Sequence, residues 1–429
     1  MMEKRKTMLS SLLKINSLVV IILFSLAWTS VQAKSVDFQT IYQSAQINNI
    51  DLKFANSVQQ EAEADVGIAR AAFMPKLGVE VRQEQFTSEI EDNSKNTSNI
   101  YAEWNLFNGF KDVQKRKSLE AEFSLAKTKA DRISQNFEWI AKEKYAKAYS
   151  LQEQVESYKK IIDSNLKNLD VVKRQRLSGR LSEADFLEFQ LFDAKLRQDL
   201  VRLELDAAVS LAELKLFAGL SDFDRLVTKL EPSPLMIDSA QIKKLTTAEK
   251  SKLVESQLKV ESLTALRANA NGSFLPTVDF RATRGSVGYR DTVKDPETIL
   301  AITARWEFFS GLESVNQKEK AIAQLTKAQI QYNNDKLKIA SRSDQLLSQI
   351  NNIVLRMKFE EGNQKNVEKF LKTVESDYRR GVKSSSDLKA ALDLILQTSL
   401  NLSMLRSDYF SLRAELQDLV GQTLDEQKM

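Results

Sequence analysis

The chain has 429 residues, of which 62 are basic and 58 acidic, and it contains no cysteine and no histidine. These absences exclude disulfide scaffolds and thiolate chemistry and remove the commonest general base. Only 12 glycines and 5 prolines interrupt the chain, which predicts long, mostly helical elements, and we expect no enzyme, no cofactor and no metal site.

The first 33 residues have the organisation of an export signal. Basic residues precede an apolar core at 18–24, and the segment ends on Val31-Gln32-Ala33, as at signal-peptidase sites. We predict cleavage before Lys34. An uncleaved anchor is the alternative, but the core is short for the ~20 residues that a membrane-spanning helix needs. Cleavage leaves 58 basic and 57 acidic residues, a balance that argues against a nucleic-acid partner.

The rest of the chain repeats itself at a nearly constant offset, which is 201 residues between Pro75 and Pro276 and 202 for the pairs that follow. Five pairs lie 202 residues apart: Trp104 and Trp306, Gly109 and Gly311, Gly179 and Gly381, Asp185 and Asp387, Gly219 and Gly421. Chance is a weak explanation, because glycine and tryptophan are rare in this chain. The predicted organisation is a signal peptide at 1–33, a first repeat at 34–231, a mid-height insert at 232–245, a second repeat at 246–421 and a tail at 422–429.

Each repeat opens with a helical segment and two segments in which apolar and polar residues alternate. The helices are predicted at 45–73 and 246–273, just before Pro75 and Pro276, which cannot continue a helix. The strands are predicted at 76–86, 97–107, 277–287 and 299–309. Alternation over this length suits a tilted membrane-spanning strand with its apolar side chains toward lipid. A hairpin packed on a soluble core alternates in the same way and remains an alternative.

A very long helix follows each pair of strands. Residues 110–178 contain neither glycine nor proline, and their apolar residues recur in steps of three and four, which is typical of coiled-coil packing. Long helices are predicted at 111–178 and 312–379, and shorter ones at 182–219 and 384–420. A long helix of this size spans about 100 Å, which matches the two short helices of each repeat stacked end to end.

Four strands per chain cannot close a barrel, and open sheet edges are not tolerated in lipid. Two copies supply eight strands and three supply twelve, which is wide enough for a lumen. Charged residues on the inward face favour a wet interior: Glu80, Arg82, Glu103, Asp279, Arg281, Arg305 and Glu307. A homotrimer is the simplest closed solution, so we predict a mostly helical protein with membrane strands.

The residues that flank the strands resemble those of the outer-membrane efflux proteins, the TolC-like channels of Gram-negative bacteria. The motifs are Ala72-Phe73-Met74-Pro75 and Phe274-Leu275-Pro276 before the strands, Trp104 to Phe110 and Trp306 to Leu312 after them, and Gly-x-x-x-x-x-Asp at 179–185 and 381–387. The resemblance implies a 12-stranded β-barrel in the outer membrane, built by a homotrimer on a long antiparallel coiled-coil α-barrel that crosses the periplasm.

The resemblance also implies a function, which is the passive exit duct of a tripartite efflux pump or of a type I protein secretion system. Its partners are then a periplasmic adaptor protein, an inner-membrane pump and outer-membrane lipid. A soluble periplasmic coiled-coil adaptor or scaffold protein is the alternative. The exact twofold repeat speaks against it.

The turns at 178–185 and 380–387, called here the first and second tips, hold the candidate site residues. Ser182 and Ser384 each precede an aspartate by three residues, which predicts capping boxes. The resemblance also implies an entrance constriction, matched by Asp387 and Lys383, with Ala390 where the family has a second acid. The first tip contributes Asp185 and Glu188 instead. The adaptor-docking residues that the resemblance implies are Gly179, Arg180, Gly381 and Val382.

Four aromatic residues mark the strand ends: Trp104, Phe107, Trp306 and Phe309. They are candidates for the aromatic belt that lines a membrane interface. Packing where the strands meet the helices is the alternative.

Overall fold

The computed structural model describes residues 34–87, 92–235, 237–248, 251–289, 292–293, 295–421 and 424. The predicted signal peptide lies outside these residues, as does the predicted tail apart from Leu424. None of the helices in the described ranges combines the length and the hydropathy that a membrane span requires.

The first repeat is helical apart from a hairpin and two very short strands. Its elements are β1 (Ser35–Val36), α1 (Phe38–Asn48), α2 (Ile50–Ala71), β2 (Lys76–Thr87), β3 (Asp92–Asn108), α3 (Lys111–Leu177), α4 (Glu183–Ala218) and β4 (Arg225–Leu226). The single helix predicted at 45–73 is wrong, because Asn49 interrupts it with ψ at 130°. The Asn49 side chain then caps α2 by accepting the backbone N–H of Asp51 at 2.9 Å.

The second repeat follows the same order. Its elements are α5 (Ser239–Thr246), α6 (Lys252–Asn271), β5 (Thr277–Tyr289), β6 (Thr292–Val293), β7 (Glu297–Arg305), α7 (Glu313–Arg379) and α8 (Ser385–Val420). The mid-height insert predicted at 232–245 therefore contains most of α5. The helix forms because Asp238 and Gln241 make a reciprocal capping box, which satisfies two backbone donors at its start.

One antiparallel sheet joins the two repeats in the order β2, β3, β5 and β7, with β6 also pairing with β5. Val79 lies opposite Ile100, and Ala102 lies opposite Ala282, so one face of the sheet is apolar. The chain leaves this face uncovered, since Leu77 is 79% exposed, Val79 72% and Ile302 71%. The opposite face carries the charged residues.

The last strand is shorter than the predicted 299–309. Arg305 pairs with Thr277, the first residue of β5. The residue before Thr277 is Pro276, which has no backbone N–H to donate to a further residue of β7. Trp306 therefore leaves the ladder, and its indole Nε1 donates to the carbonyl oxygen of Phe274 at 3.2 Å.

The long helices α3 and α7 have 67 residues each and so extend about 100 Å from the sheet. The helices α2 and α4 pack on α3, whereas α6 and α8 pack on both α3 and α7. Two apolar cores join the repeats. One surrounds Trp139 and Phe410 in the half nearer the sheet, and the other surrounds Phe189 and Tyr378 near the tips.

Candidate functional site

Both tips turn through a glycine at the end of the long helix farthest from the sheet. Gly179 has φ at 71° and Gly381 has φ at 78°, the left-handed conformation that ends many helices. A Cβ on either glycine would meet no atom within 4 Å. Backbone conformation, and not crowding, is therefore what requires glycine at these positions.

The second tip holds Asp387 in a capping box. The Ser384 backbone N–H donates to Asp387 Oδ2 at 2.9 Å, and the Asp387 N–H donates to Ser384 Oγ at 3.2 Å. Lys383 Nζ lies 3.4 Å from Asp387 Oδ1. The amide of Ser384 is the main cause that lowers the pKa of Asp387 from its ordinary value, followed by the Ser384 hydroxyl and the Lys383 charge.

The first tip forms only half of the predicted capping box, and Leu181 stands where the second tip has Lys383. The Ser182 hydroxyl donates to Asp185 Oδ2 at 2.7 Å, and Ser182 Oγ accepts the Asp185 N–H at 3.1 Å. Glu188, predicted to stand beside Asp185 at the entrance, instead forms an ion pair with Lys389 of α8. The structure thus brings Lys383 and Asp387 together, whereas Glu188 pairs with a residue of the other repeat.

A second bond between the repeats lies just above the tips. The Tyr378 hydroxyl donates to Gln175 Oε1 at 2.9 Å, and burial raises the pKa of Tyr378. The sequence did not single out either residue, because no local motif relates two side chains 203 residues apart. Only the repeat offset could have indicated this contact, because it predicts that α3 and α7 end at the same distance from the sheet.

The remaining tip residues lie at the surface. Gly179, Arg180 and Gly381 are exposed, and the Val382 side chain is 70% exposed. Leu177 beside the first glycine is exposed as well. The tips therefore present open backbone and apolar side chains, a surface suited to contact with another protein.

The aromatic residues at the strand ends are used in two ways. Trp104 Nε1 donates to the Phe73 carbonyl oxygen at 3.0 Å, in the position that Trp306 occupies in the second repeat. The Phe107 ring packs edge-on against Phe110 with centroids 5.1 Å apart. Phe309, in contrast, is 70% exposed. Both tryptophans thus bond to the segment that leads into their hairpin, while much of their surface stays exposed.

On the charged face of the sheet, acidic and basic side chains pair with one another. Glu80 lies 2.6 Å from an Arg82 nitrogen and 3.2 Å from an Arg281 nitrogen. The Arg281 guanidinium also lies over the Tyr101 ring, 4.8 Å from its centroid. A Cβ at Gly78 would come within 2.5 Å of that ring, so glycine makes room for it. Within the described ranges, no acidic cluster could hold a metal ion.

Comparison with known proteins identifies relatives over most of the chain. The sequence profile described as "Outer membrane efflux protein" matches residues 41–220 and 244–422. A search of curated proteins gives no match.

Several solved structures have a similar fold. The outer membrane protein VceC from Vibrio cholerae has a TM-score of 0.77 and 15% identity, over 90% of this chain and 97% of that chain. The CmeC outer membrane channel of Campylobacter jejuni has a TM-score of 0.78 and 15% identity, over 91% and 87%. The open-state MtrE outer membrane channel of Neisseria gonorrhoeae has a TM-score of 0.73 and 12% identity, over 91% and 90%.

Proposed function

Because the chain belongs to the outer membrane efflux protein family, we propose that it is the outer membrane channel through which a tripartite efflux pump or a type I secretion system exports its cargo. The observation that carries this proposal is the sheet, which has one uncovered apolar face and one charged face. Such a sheet, set at one end of helices about 100 Å long, suits a lipid-facing pore joined to a periplasmic tunnel.

The proposal includes assembly of three copies. Among the described strands, β2 pairs only with β3, and β7 only with β5, so both edges of the sheet are free. Free edges are not stable in lipid. Pairing of β2 in one copy with β7 in the next satisfies both edges, and three copies then give a 12-stranded barrel with a lumen.

The tips belong to the periplasmic entrance in this assembly. Asp387 and Lys383 of three copies converge around the axis, and the lowered pKa of Asp387 keeps its carboxylate ionised. Asp185 adds a second acidic position, while Glu188 is neutralised by Lys389. The exposed residues Gly179, Arg180, Gly381 and Val382 form the docking surface for the periplasmic adaptor. That adaptor connects the channel to an inner-membrane pump, which supplies the energy.

A soluble periplasmic adaptor or scaffold protein is not favoured. The family match spans both repeats, and a soluble protein would leave the apolar face of the sheet in water without a partner. An enzyme is not favoured either, because the family consists of channels.

Membrane fractionation tests the proposal. We expect the full-length protein in the outer membrane fraction, extracted by detergent and not by salt, as a trimer that dissociates on heating. Recovery as a salt-extracted periplasmic monomer would contradict it.

A further inference from the structure

One cation lies on the apolar face of the sheet. Arg284 of β5 is directly opposite Ile100 of β3, and Ile100 is directly opposite Val79 of β2. Residues that are opposite each other in an antiparallel pair project from the same face, so Arg284 shares the face of these two apolar residues. Arg284 is exposed. It therefore belongs to the surface that meets lipid in the proposed channel, and not to the charged face that lines the lumen.

The charge of Arg284 is not neutralised by the residues around it. Its cross-strand neighbour on β7 is Thr298, which carries no charge. In the described ranges of the chain, no carboxylate forms an ion pair with Arg284. On the opposite face of the same strand, in contrast, Arg281 pairs with Glu80. The lipid-facing cation is therefore available to an anion from outside the chain.

The outward residues of the sheet change from apolar to polar at the level of Arg284. Farther from the helices, the outward residues are Ser286 on β5 and Ser98 on β3, which lie opposite each other. At the level of Arg284 itself, β7 contributes the hydroxyl of Thr298. Between this level and the helices, the outward residues of these three strands are Ala102 and Trp104, Val278, Phe280 and Ala282, and Leu300, Ile302 and Ala304.

The height of this apolar band places Arg284 at its outer boundary. At the other boundary Trp306 comes directly after Arg305, the partner of Thr277, so it is level with Pro276, eight residues from Arg284. Eight residues span about 26 Å along a strand, which is about 20 Å across the membrane for a strand tilted by ~40°. The apolar band of a membrane barrel is ~25 Å tall. Arg284 is thus close to the interface, where a cation is tolerated, and far from the midplane, where it is costly.

We propose that Arg284 binds the phosphate group of a lipid in the outer leaflet of the membrane, with the hydroxyl groups of Ser286 and Thr298 beside it. The inference rests on the proposed channel, in which the helices extend into the periplasm and this boundary of the sheet faces the outer leaflet. A guanidinium presents its N–H donors in a planar fork that matches phosphate oxygens. Serine and threonine hydroxyls donate hydrogen bonds as well. The acyl chains of the same lipid then cover the apolar residues below.

The first repeat supplies a neutral residue at the equivalent position. Counted from Pro75 and Pro276, Arg284 corresponds to Gln83, which is on the same side of β2 as Val79. The chain therefore already accommodates glutamine at this level of the outward face. Arg284→Gln removes the cation and keeps a polar side chain, and one Arg284 per copy gives three lipid sites in a trimer.

Lipid binding to purified trimers in detergent, counted by native mass spectrometry, tests the proposal. The probe is dioleoylphosphatidic acid, whose phosphate is anionic, and dioleoylphosphatidylcholine, whose headgroup has no net charge, is titrated in parallel. Inorganic phosphate is added as a competitor to distinguish a lipid site from a site for the free anion. The test variant is Arg284→Gln. The matched control is Arg305→Gln, which removes the same charge from the lumenal face of β7.

We expect the wild type and the Arg305 variant to retain one phosphatidic acid molecule per copy in preference to phosphatidylcholine. Arg284→Gln should bind phosphatidic acid about tenfold more weakly, because a charge-assisted hydrogen-bonding partner is lost. Equal binding by the wild type and Arg284→Gln would overturn the site, as would displacement of the lipid by inorganic phosphate. A trimer that conducts in planar bilayers and fails this test would overturn the lipid site alone, whereas a monomer that never conducts would overturn the channel function as well.

Discussion

Two glycines of the second repeat separate the effect of backbone conformation from the effect of side-chain space. Gly362 lies inside α7, whereas Gly381 follows the end of α7 and has a positive φ. A Cβ at Gly362 or at Gly381 would meet no atom within 4 Å. Any difference between substitutions at these two positions therefore reports the backbone alone.

Replacing Gly362 with alanine should stabilise the middle of α7 by up to about 1 kcal/mol, because alanine favours the helix over glycine. Replacing Gly381 with alanine should destabilise the second tip by about 1–2 kcal/mol, because its φ of 78° is strained for any residue with a Cβ. Amide hydrogen exchange of the two segments measures both changes. Equal effects of the same sign at both sites would be incompatible with this explanation.

Asp387 has a pKa below its ordinary value because it accepts hydrogen bonds from Ser384 and faces Lys383. A carboxylate whose pKa is lower in the folded chain stabilises the fold above its unfolded pKa. That contribution is lost as the pH falls through the folded value. The start of α8 should therefore remain capped at neutral pH and open only in acid.

Replacing Asp387 with asparagine should reduce the cation selectivity of the channel at neutral pH, because three carboxylates leave the proposed constriction. The difference from the wild type should shrink as the pH falls below the ordinary pKa of aspartate. Reversal potentials in planar bilayers measure both effects, with Asp185→Asn as the matched variant in the first tip. Unchanged selectivity in the Asp387 variant would remove this residue from the constriction.

At the scale of elements, a tryptophan near the end of β3 and another just after β7 each bond to the short segment that precedes the hairpin of their repeat. Trp306 Nε1 donates to the Phe274 carbonyl oxygen, and Trp104 Nε1 donates to that of Phe73. Replacing Trp306 with phenylalanine should cost about 1 kcal/mol of local stability, since the carbonyl loses its partner. Hydrogen exchange at the start of β5 measures the loss. A Trp104→Phe variant should show the same loss of protection at the start of β2. Unchanged hydrogen exchange in both variants would favour a role of the two tryptophans in the aromatic belt alone.

Local patterns predicted most of these elements. Alternation marked the strands, the absence of glycine and proline marked α3, and serine followed by aspartate marked both caps. Features that depend on a distant partner were not predictable in this way. The early end of β7 depends on Pro276, and the pairing of Glu188 with Lys389 depends on a residue 201 positions away.

The whole molecule repeats one arrangement of elements, since each repeat ends on a long helix of 67 residues and a shorter helix of 36. Inside the chain the two repeats meet through apolar cores, one around Trp139 and Phe410 and the other around Phe189 and Tyr378. At the sheet, β2 and β7 each have a single partner among the described strands. In the proposed channel these two edges pair between copies, which closes the barrel.

The conductance of purified protein in planar lipid bilayers tests the central claim most directly. We expect detergent-extracted trimers to insert and to form long-lived, water-filled channels of uniform conductance, with no added energy source. Protein that remains monomeric and leaves the bilayer non-conducting would contradict the account.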